Sequence, residues 1–216
     1  MIKIVSFDLD GTLMKSKYAD LVWLEGLPNI YSRDKNISFK EAKDFLISEY
    51  DKIGNSKEEW YDLKYWFDFL DLKYDYQMLL DKYKYAIEIY PEVLTVLRTL
   101  RIDYDLIIAS NAKREFIDIE LNKTKISKFF SNIFSSTSDF HTVNKLTDFY
   151  LMICKNLSIE PTEMIHIGDN MRFDYDIPKK IGINSIYLDR EKKVKGDFVV
   201  NNLFEFIDKI DFFEHI

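Results

Sequence analysis

Five short apolar runs, spaced by helical stretches, restrict what this 216-residue chain can fold into. They are "IKIVSF" at 2–7, "DLIIAS" at 105–110, "MIHIG" at 164–168, "NSIYL" at 184–188 and "DFVV" at 197–200. Each is rich in β-branched or aromatic residues and bounded by turn formers, which reads as a buried strand. Helical patterns fill the intervals: "PEVLTVLRTL" from Pro91, the segment from Lys113 to Leu121, "KLTDFYLMICKNL" from Lys145 and "YDIPKKIGI" from Tyr175. Alternating strands and helices demand right-handed crossovers and a parallel sheet covered on both faces. The expected class is α/β, a Rossmann-like three-layer α/β/α core.

Residues 15–89 break this rhythm. They hold four amphipathic stretches, "YADLVWLEGL", "SFKEAKDFLISEYDKIG", "KEEWYDLKYWFDFL" and "YQMLLDKYKYAI", and no convincing strand. Ser38 and Glu41 have capping-box spacing, and Gly54 marks a stop for the same helix. Pro91 restarts the α/β pattern at a helix start. The expected organisation is a catalytic core of residues 1–14 and 90–216 with an all-helical domain, 15–89, inserted after the first strand. The length suits one good core plus a satellite.

With 47% hydrophobic and 31% charged residues, the composition is that of a folded globular chain. A net charge of −7 argues against nucleic acid or anionic membrane as a partner. A small anionic ligand remains compatible, because a metal or local lysines can reverse the field inside a pocket. The single cysteine, Cys154, excludes a disulfide within the chain. No apolar run approaches ~18 residues, and the start carries no basic-then-apolar targeting pattern. A cytoplasmic location is expected, with the chain a monomer or homodimer.

The first strand runs directly into "DLDGT". Asp8 and Asp10 so close together repel and cost stability unless something uses their charge. In an open parallel sheet, ligands bind beyond the carboxyl ends of the strands. The other strands bring Ser110 and Asn111 there, and "GDNMRFD" with Asp169 and Asp174; Lys145 precedes that last strand. Clustered carboxylates favour Mg²⁺, which bridges to a substrate phosphate. Ser, Asn and Lys supply donors for phosphoryl oxygens, and Gly11 lets the backbone turn tightly around them. A carboxylate can also attack phosphorus and hold a covalent intermediate. His166, inside an apolar strand, reads as a packed core histidine, and Cys154 as structural. The aromatics Trp23, Trp60, Tyr61, Tyr65, Trp66 and Phe67 read mostly as packing, with one or two facing the site.

In this order, "DLDGT", "IIASN", Lys145 and "GDNMRFD" resemble the four motifs of the haloacid dehalogenase (HAD) superfamily, over essentially the whole chain. The helical insertion occupies the position of that superfamily's cap. The resemblance implies a first strand lying between those that carry the second and fourth motifs. It implies Asp8 as the nucleophile that forms an aspartyl phosphate, and Asp10 as general acid and then general base. Asp8, the backbone carbonyl of Asp10 and Asp169 would hold Mg²⁺, with Asp174 as ligand or neighbour. Ser110 and Asn111, with Gly11 and Thr12, would bind the phosphoryl group, and Lys145 would neutralise charge. Lys145 precedes Gly168 by 23 positions and is followed by Leu146, where related sequences have proline; an ungapped comparison would put Asn144 in its place. The acid at position 10 favours a phosphatase over the dehalogenases, which usually lack it. The implied substrate is a small phosphorylated metabolite. The alternatives are a phosphotransferase or sugar-phosphate mutase, a dehalogenase, or a non-catalytic receiver-like module.

Overall fold

The apolar runs assemble into one six-stranded parallel sheet in the computed structural model, which describes residues 1–214. The strands are β1 (Ile4–Phe7), β2 (Asp105–Ser110), β3 (Asn132–Ser135), β4 (Met164–Gly168), β5 (Asn184–Leu188) and β6 (Val199–Val200). Their spatial order is β3-β2-β1-β4-β5-β6, so β1 lies between the strands carrying the second and fourth motifs. Phe7 stands opposite Ile108 on one side and Ile167 on the other. All four residues of β1 are buried, as a strand covered on both faces requires. The chain proceeds outward from β1 to β3, then crosses back to β4. The resulting switch point opens a crevice at the carboxyl ends of β1 and β4.

Two strands depart from the sequence pattern. β3, "NIFS", was not anticipated; it is a short edge strand with an exposed first residue and serines on both flanks, so its apolar signal is weak. The "DFVV" run contributes only Val199 and Val200, because Asp197 and Phe198 form a turn.

Between β1 and β2 the chain is helical: α1 (Lys17–Leu21), α2 (Leu27–Lys35), α3 (Phe39–Ile53), α4 (Leu63–Phe69) and α5 (Tyr76–Tyr83). A wide π-type turn, Val22–Gly26, joins α1 to α2, and a 3₁₀ turn, Glu58–Tyr61, precedes α4. The capping box at α3 forms: the Glu41 amide donates to Ser38 Oγ at 3.2 Å, and the Ser38 amide donates to Glu41 Oε2 at 2.9 Å. Such a cap is worth about 1 kcal/mol. The two ends of the insertion meet, because Met14 bridges Ile89 and the Tyr90 amide donates to the Leu13 carbonyl at 3.1 Å. α2 was not anticipated either, since "LPNIYSRDK" carries few apolar residues to set a helical period.

The remaining helices alternate with strands: α6 (Val93–Leu100), α7 (Arg114–Thr124), the single turn α8 (Ser136–Asp139), α9 (Thr147–Leu157), α10 (Ile177–Lys180) and α11 (Leu203–Glu214). One apolar cluster joins Phe7, Leu9 and Leu13 to Tyr18, Leu46, Leu63 and Trp66 of the insertion. A second, around Ile4, Ile107, Phe149 and Tyr150, covers the other face of the sheet. Each large apolar side chain fully buried there contributes roughly 1.5–3 kcal/mol. Cys154 is buried in the second cluster. The site loops are thus mounted on a rigid floor.

Candidate active site

Asp8 lies one residue past β1, where its amide still donates to the Ile167 carbonyl at 2.9 Å. The chain then reverses, and the amides of Leu13 and Met14 both return to the Leu9 carbonyl at 2.9 Å. Gly11 makes the turn possible with φ of +81°, and a Cβ there would strike the Asp169 carboxylate. Gly168 is confined in the same way, because its Cβ would run into the carboxylate of Asp174. Asp10 is followed by glycine, and Asp169 preceded by one, so that the two loops can touch.

Lys145 links these loops. Its ammonium pairs with the carboxylates of both Asp8 and Asp174 and donates to the Ala109 carbonyl at 3.3 Å, with the residue only 2% exposed. Asn144 has left-handed backbone, φ 68°, and its amide goes to the helical insertion instead: Nδ2 donates to the Asn55 carbonyl and Oδ1 accepts from Tyr61. It is therefore Lys145, not Asn144, that reaches Asp8. Lys145 stands two residues ahead of α9 rather than in its first turn.

Asp174 is the most heavily tethered acid. It accepts from the Asn170 amide at 2.9 Å and lies 3.1 Å from His166 Nε2, and the His166 Nδ1 lies 2.8 Å from Ser6 Oγ. His166 is a core residue, as expected, but it also orients an acid of the site. Burial opposes the charge on Asp174, yet Lys145 and His166 outweigh it and hold the carboxyl at about 2. Asp8 rises well above the ordinary range through burial, against the pull of Lys145. Asp169 opens onto the cavity but is hemmed in by protein, and burial together with Asp174 lifts it to about 6. Burial would lower Lys145, but Asp174 and Asp8 more than compensate and its pKa moves upward. One cation does not neutralise this many acids.

Carboxylate oxygens of Asp8, Asp169 and Asp174 all lie within 4.8 Å of one another. Three hard anionic oxygens at that spacing fit a divalent cation such as Mg²⁺, and their uncompensated charge fits it too. The Asp10 carboxylate stands outside that group.

Ser110, at the end of β2, is buried, and its Oγ accepts from the Ala112 amide at 3.1 Å. Asn111 is fixed from α8, with Oδ1 accepting from Ser136 Oγ at 2.8 Å and its carbonyl accepting from Thr137 Oγ1 at 3.1 Å. Both line a cavity of about 390 Å³, with Asp8, Asp10, Lys145 and Asp169 on the same floor. Gly11 and Thr12 do not line it. Thr12 is fully buried and donates to Asp8 Oδ2 at 3.2 Å, so these two residues shape the loop and hold Asp8.

A haloacid dehalogenase-like hydrolase family model matches residues 2–182. The chain belongs to that family. No curated protein matches it in sequence. Among solved structures, a HAD phosphatase from Thermococcus onnurineus is 25% identical, over 97% of this chain and 98% of that one, with a TM-score of 0.85. A 2-haloacid dehalogenase from Pseudomonas syringae pv. Tomato DC3000 is 19% identical, over 98% and 99% of the two chains, with a TM-score of 0.69. A haloacid dehalogenase-like family hydrolase, SP0104 from Streptococcus pneumoniae, is 18% identical over 97% and 98%, with a TM-score of 0.67.

This HAD-like hydrolase carries site residues that no motif announced. Arg190 clamps the "DGT" loop from behind, donating to the carbonyls of Gly11 at 3.0 Å and Thr12 at 2.6 Å. It is itself held by Glu92 at 2.8 Å and stacked 3.4 Å over the Tyr90 ring. Glu120 of α7, 1% exposed, acts on Asp10 electrostatically, and Asp10 Oδ1 and Glu120 Oε2 are both buried without a hydrogen-bond partner among the described residues. Burial raises both acids, Asp10 to about 6, and neighbouring carboxylates push the same way, so that their protonated forms are favoured. Of the aromatics singled out by sequence, Trp23, Trp60 and Tyr61 line the cavity, joined by Tyr50 and Phe116; Trp66 and Phe67 are buried in the core.

Proposed function

We propose that this HAD-like hydrolase is a Mg²⁺-dependent phosphohydrolase that removes phosphate from a small phosphorylated metabolite through an aspartyl-phosphate intermediate. The observation that carries the reading is Asp8 paired with Lys145 on the cavity floor, with Asp10 two residues further on. Asp8, Asp169 and Asp174 would hold the cation, which neutralises phosphoryl charge when bound.

Lys145 opposes the effect of burial on Asp8 and aims it, and with a cation held by the same acids an Oδ lone pair would be available to attack phosphorus. The phosphoryl group passes to Asp8 while Asp10, in its protonated form, gives its proton to the departing alcohol oxygen. Asp10, now a carboxylate, takes a proton from the water that attacks the acyl phosphate, and Asp8 is regenerated. The Ser110 hydroxyl and Asn111 backbone orient the phosphoryl oxygens. The helices of 15–89 act as a cap that closes the site from water and meets the alcohol part.

Support for a phosphatase rather than a dehalogenase comes from the acid at position 10 and from the 25% identity to a HAD phosphatase. Phosphate release from an aryl phosphate, measured with Mg²⁺ and then with chelator, tests the reading. Turnover is expected only with the metal; full activity in metal-stripped buffer would point to dehalogenase-like chemistry.

A further inference from the structure

Resting on that reading, we infer that the substrate is a phosphomonoester whose alcohol part is flat and apolar and carries no second anionic group. The observation is the division of the cavity. Its floor holds the acids, Ser110 and Lys145, and its upper wall is made of Trp23, Leu24, Tyr50, Trp60, Tyr61 and Phe116. Trp23 is stacked on Phe116 with ring centroids 5.9 Å apart and planes 10° apart, and Tyr50 meets it edge-on at 6.0 Å. This wall is stiff and aromatic.

Its tyrosine hydroxyls are already engaged. The Tyr50 hydroxyl donates to the Trp23 carbonyl at 3.2 Å, and the Tyr61 hydroxyl is spent on the Asn55 carbonyl and Asn144 Oδ1, both at 3.1 Å. Lys113, the cation beside Ser110 and Asn111, is paired with Glu58 at 2.6 Å and Asp62 at 3.2 Å. Asn170 uses Oδ1 to cap the amides of Arg172 and Phe173. The indole N–H groups of Trp23 and Trp60 are the wall's few free donors, so a sugar brought against it would bury most of its hydroxyl groups without partners, which costs about 1–3 kcal/mol each.

Charge excludes a further class. The lining holds Asp8, Asp10, Asp20, Asp169 and Asp174 against two lysines, both paired, and no arginine. Asp20, exposed on α1, is the remaining ionisable side chain of the upper wall. A carboxylate or second phosphate on the alcohol would face that acid with no cation to receive it. An aromatic ring instead gains dispersion and sheds its hydration there.

The test compares benzyl phosphate, glycerol 3-phosphate and phosphoglycolate as alkyl phosphates, with acetyl phosphate as a minimal phosphoryl donor. Benzyl phosphate is expected to exceed the other two alkyl esters in kcat/KM by roughly tenfold or more. Trp60→Ala should shrink that ratio, and Asp20→Lys, a surface change that spares the core, should raise phosphoglycolate relative to benzyl phosphate. Hydrolysis of acetyl phosphate with a preference for glycerol 3-phosphate or phosphoglycolate would overturn this inference and leave the phosphatase standing. A ratio unmoved in both variants would likewise remove the wall as its source. Release of phosphate from none of the four, acetyl phosphate included, would overturn the phosphatase reading and this inference with it.

Discussion

Lys145 is the residue on which the electrostatics of the site turn. Its ammonium meets Asp8 and Asp174 in a place where neither acid has much water, and removing one partner of such a buried group leaves charge that must be neutralised by a proton. Lys145→Ala should therefore lower kcat/KM by about a hundredfold to a thousandfold, equivalent to ~2.7–4 kcal/mol of transition-state stabilisation. Steady-state kinetics with circular dichroism to confirm folding checks this; a fully active variant would contradict the role. The acids make a second expectation. In the folded protein without metal, Asp169 titrates at about 6, against ~3.9 in the unfolded chain. A raised carboxyl pKa favours the folded state at low pH, so that contribution is full below ~4 and is lost as pH rises through about 6. Mg²⁺ should offset the loss, and its increment in Tm should be larger at pH 8 than at pH 5. Equal increments would argue that the cation does not meet Asp169. Asp8, Asp10 and Asp169 were legible in the sequence because they follow strand ends, the last two beside a glycine, and Asp174 because it closes "GDNMRFD". Glu120 and Arg190 were not. One is an acid on an amphipathic helix and the other an arginine in a loop, and only tertiary structure brings them to Asp10 and the "DGT" carbonyls.

At the scale of elements, a few polar side chains add to the apolar contact between the helical insertion and the rest of the chain. Lys113, the N-cap of α7, ties to Glu58 and Asp62, and Asn144 ties to Asn55 and Tyr61. The partners belong to the 54–62 segment, which carries Trp60 of the cavity wall. Lys113→Ala should raise amide exchange across residues 55–62 while lowering global stability by no more than about 1 kcal/mol, because the pair is partly exposed. Hydrogen exchange followed by mass spectrometry reads this, and unchanged protection of the segment would show that the ion pairs do not fasten it. The strong elements were visible beforehand: β1, β2, β4 and the capped α3 each carry a dense local signal. β3 and α2 were not, because a four-residue edge strand with an exposed start and a helix with few apolar residues owe their form to neighbours rather than to period.

The whole molecule places one acidic crevice at the switch point of a parallel sheet and lays an aromatic wall over it. Each half comes from a different part of the chain, and the Met14–Ile89 bridge brings the ends of the insertion together beside the floor. The sheet order follows from alternation and from the resemblance, and the apolar cluster that joins Phe7 to Trp66 makes the wall continuous with the floor. What no local pattern specified is which aromatics turn toward the cavity, since Trp23 and Trp66 look alike in sequence and are separated only by packing. The central claim is that Asp8 takes the phosphoryl group. Its most direct test is phosphate release by Asp8→Asn beside the parent protein in saturating Mg²⁺, because an amide retains the shape of the side chain and cannot form the acyl phosphate. The expected result is a folded variant with no measurable turnover; turnover near that of the parent would contradict the covalent mechanism.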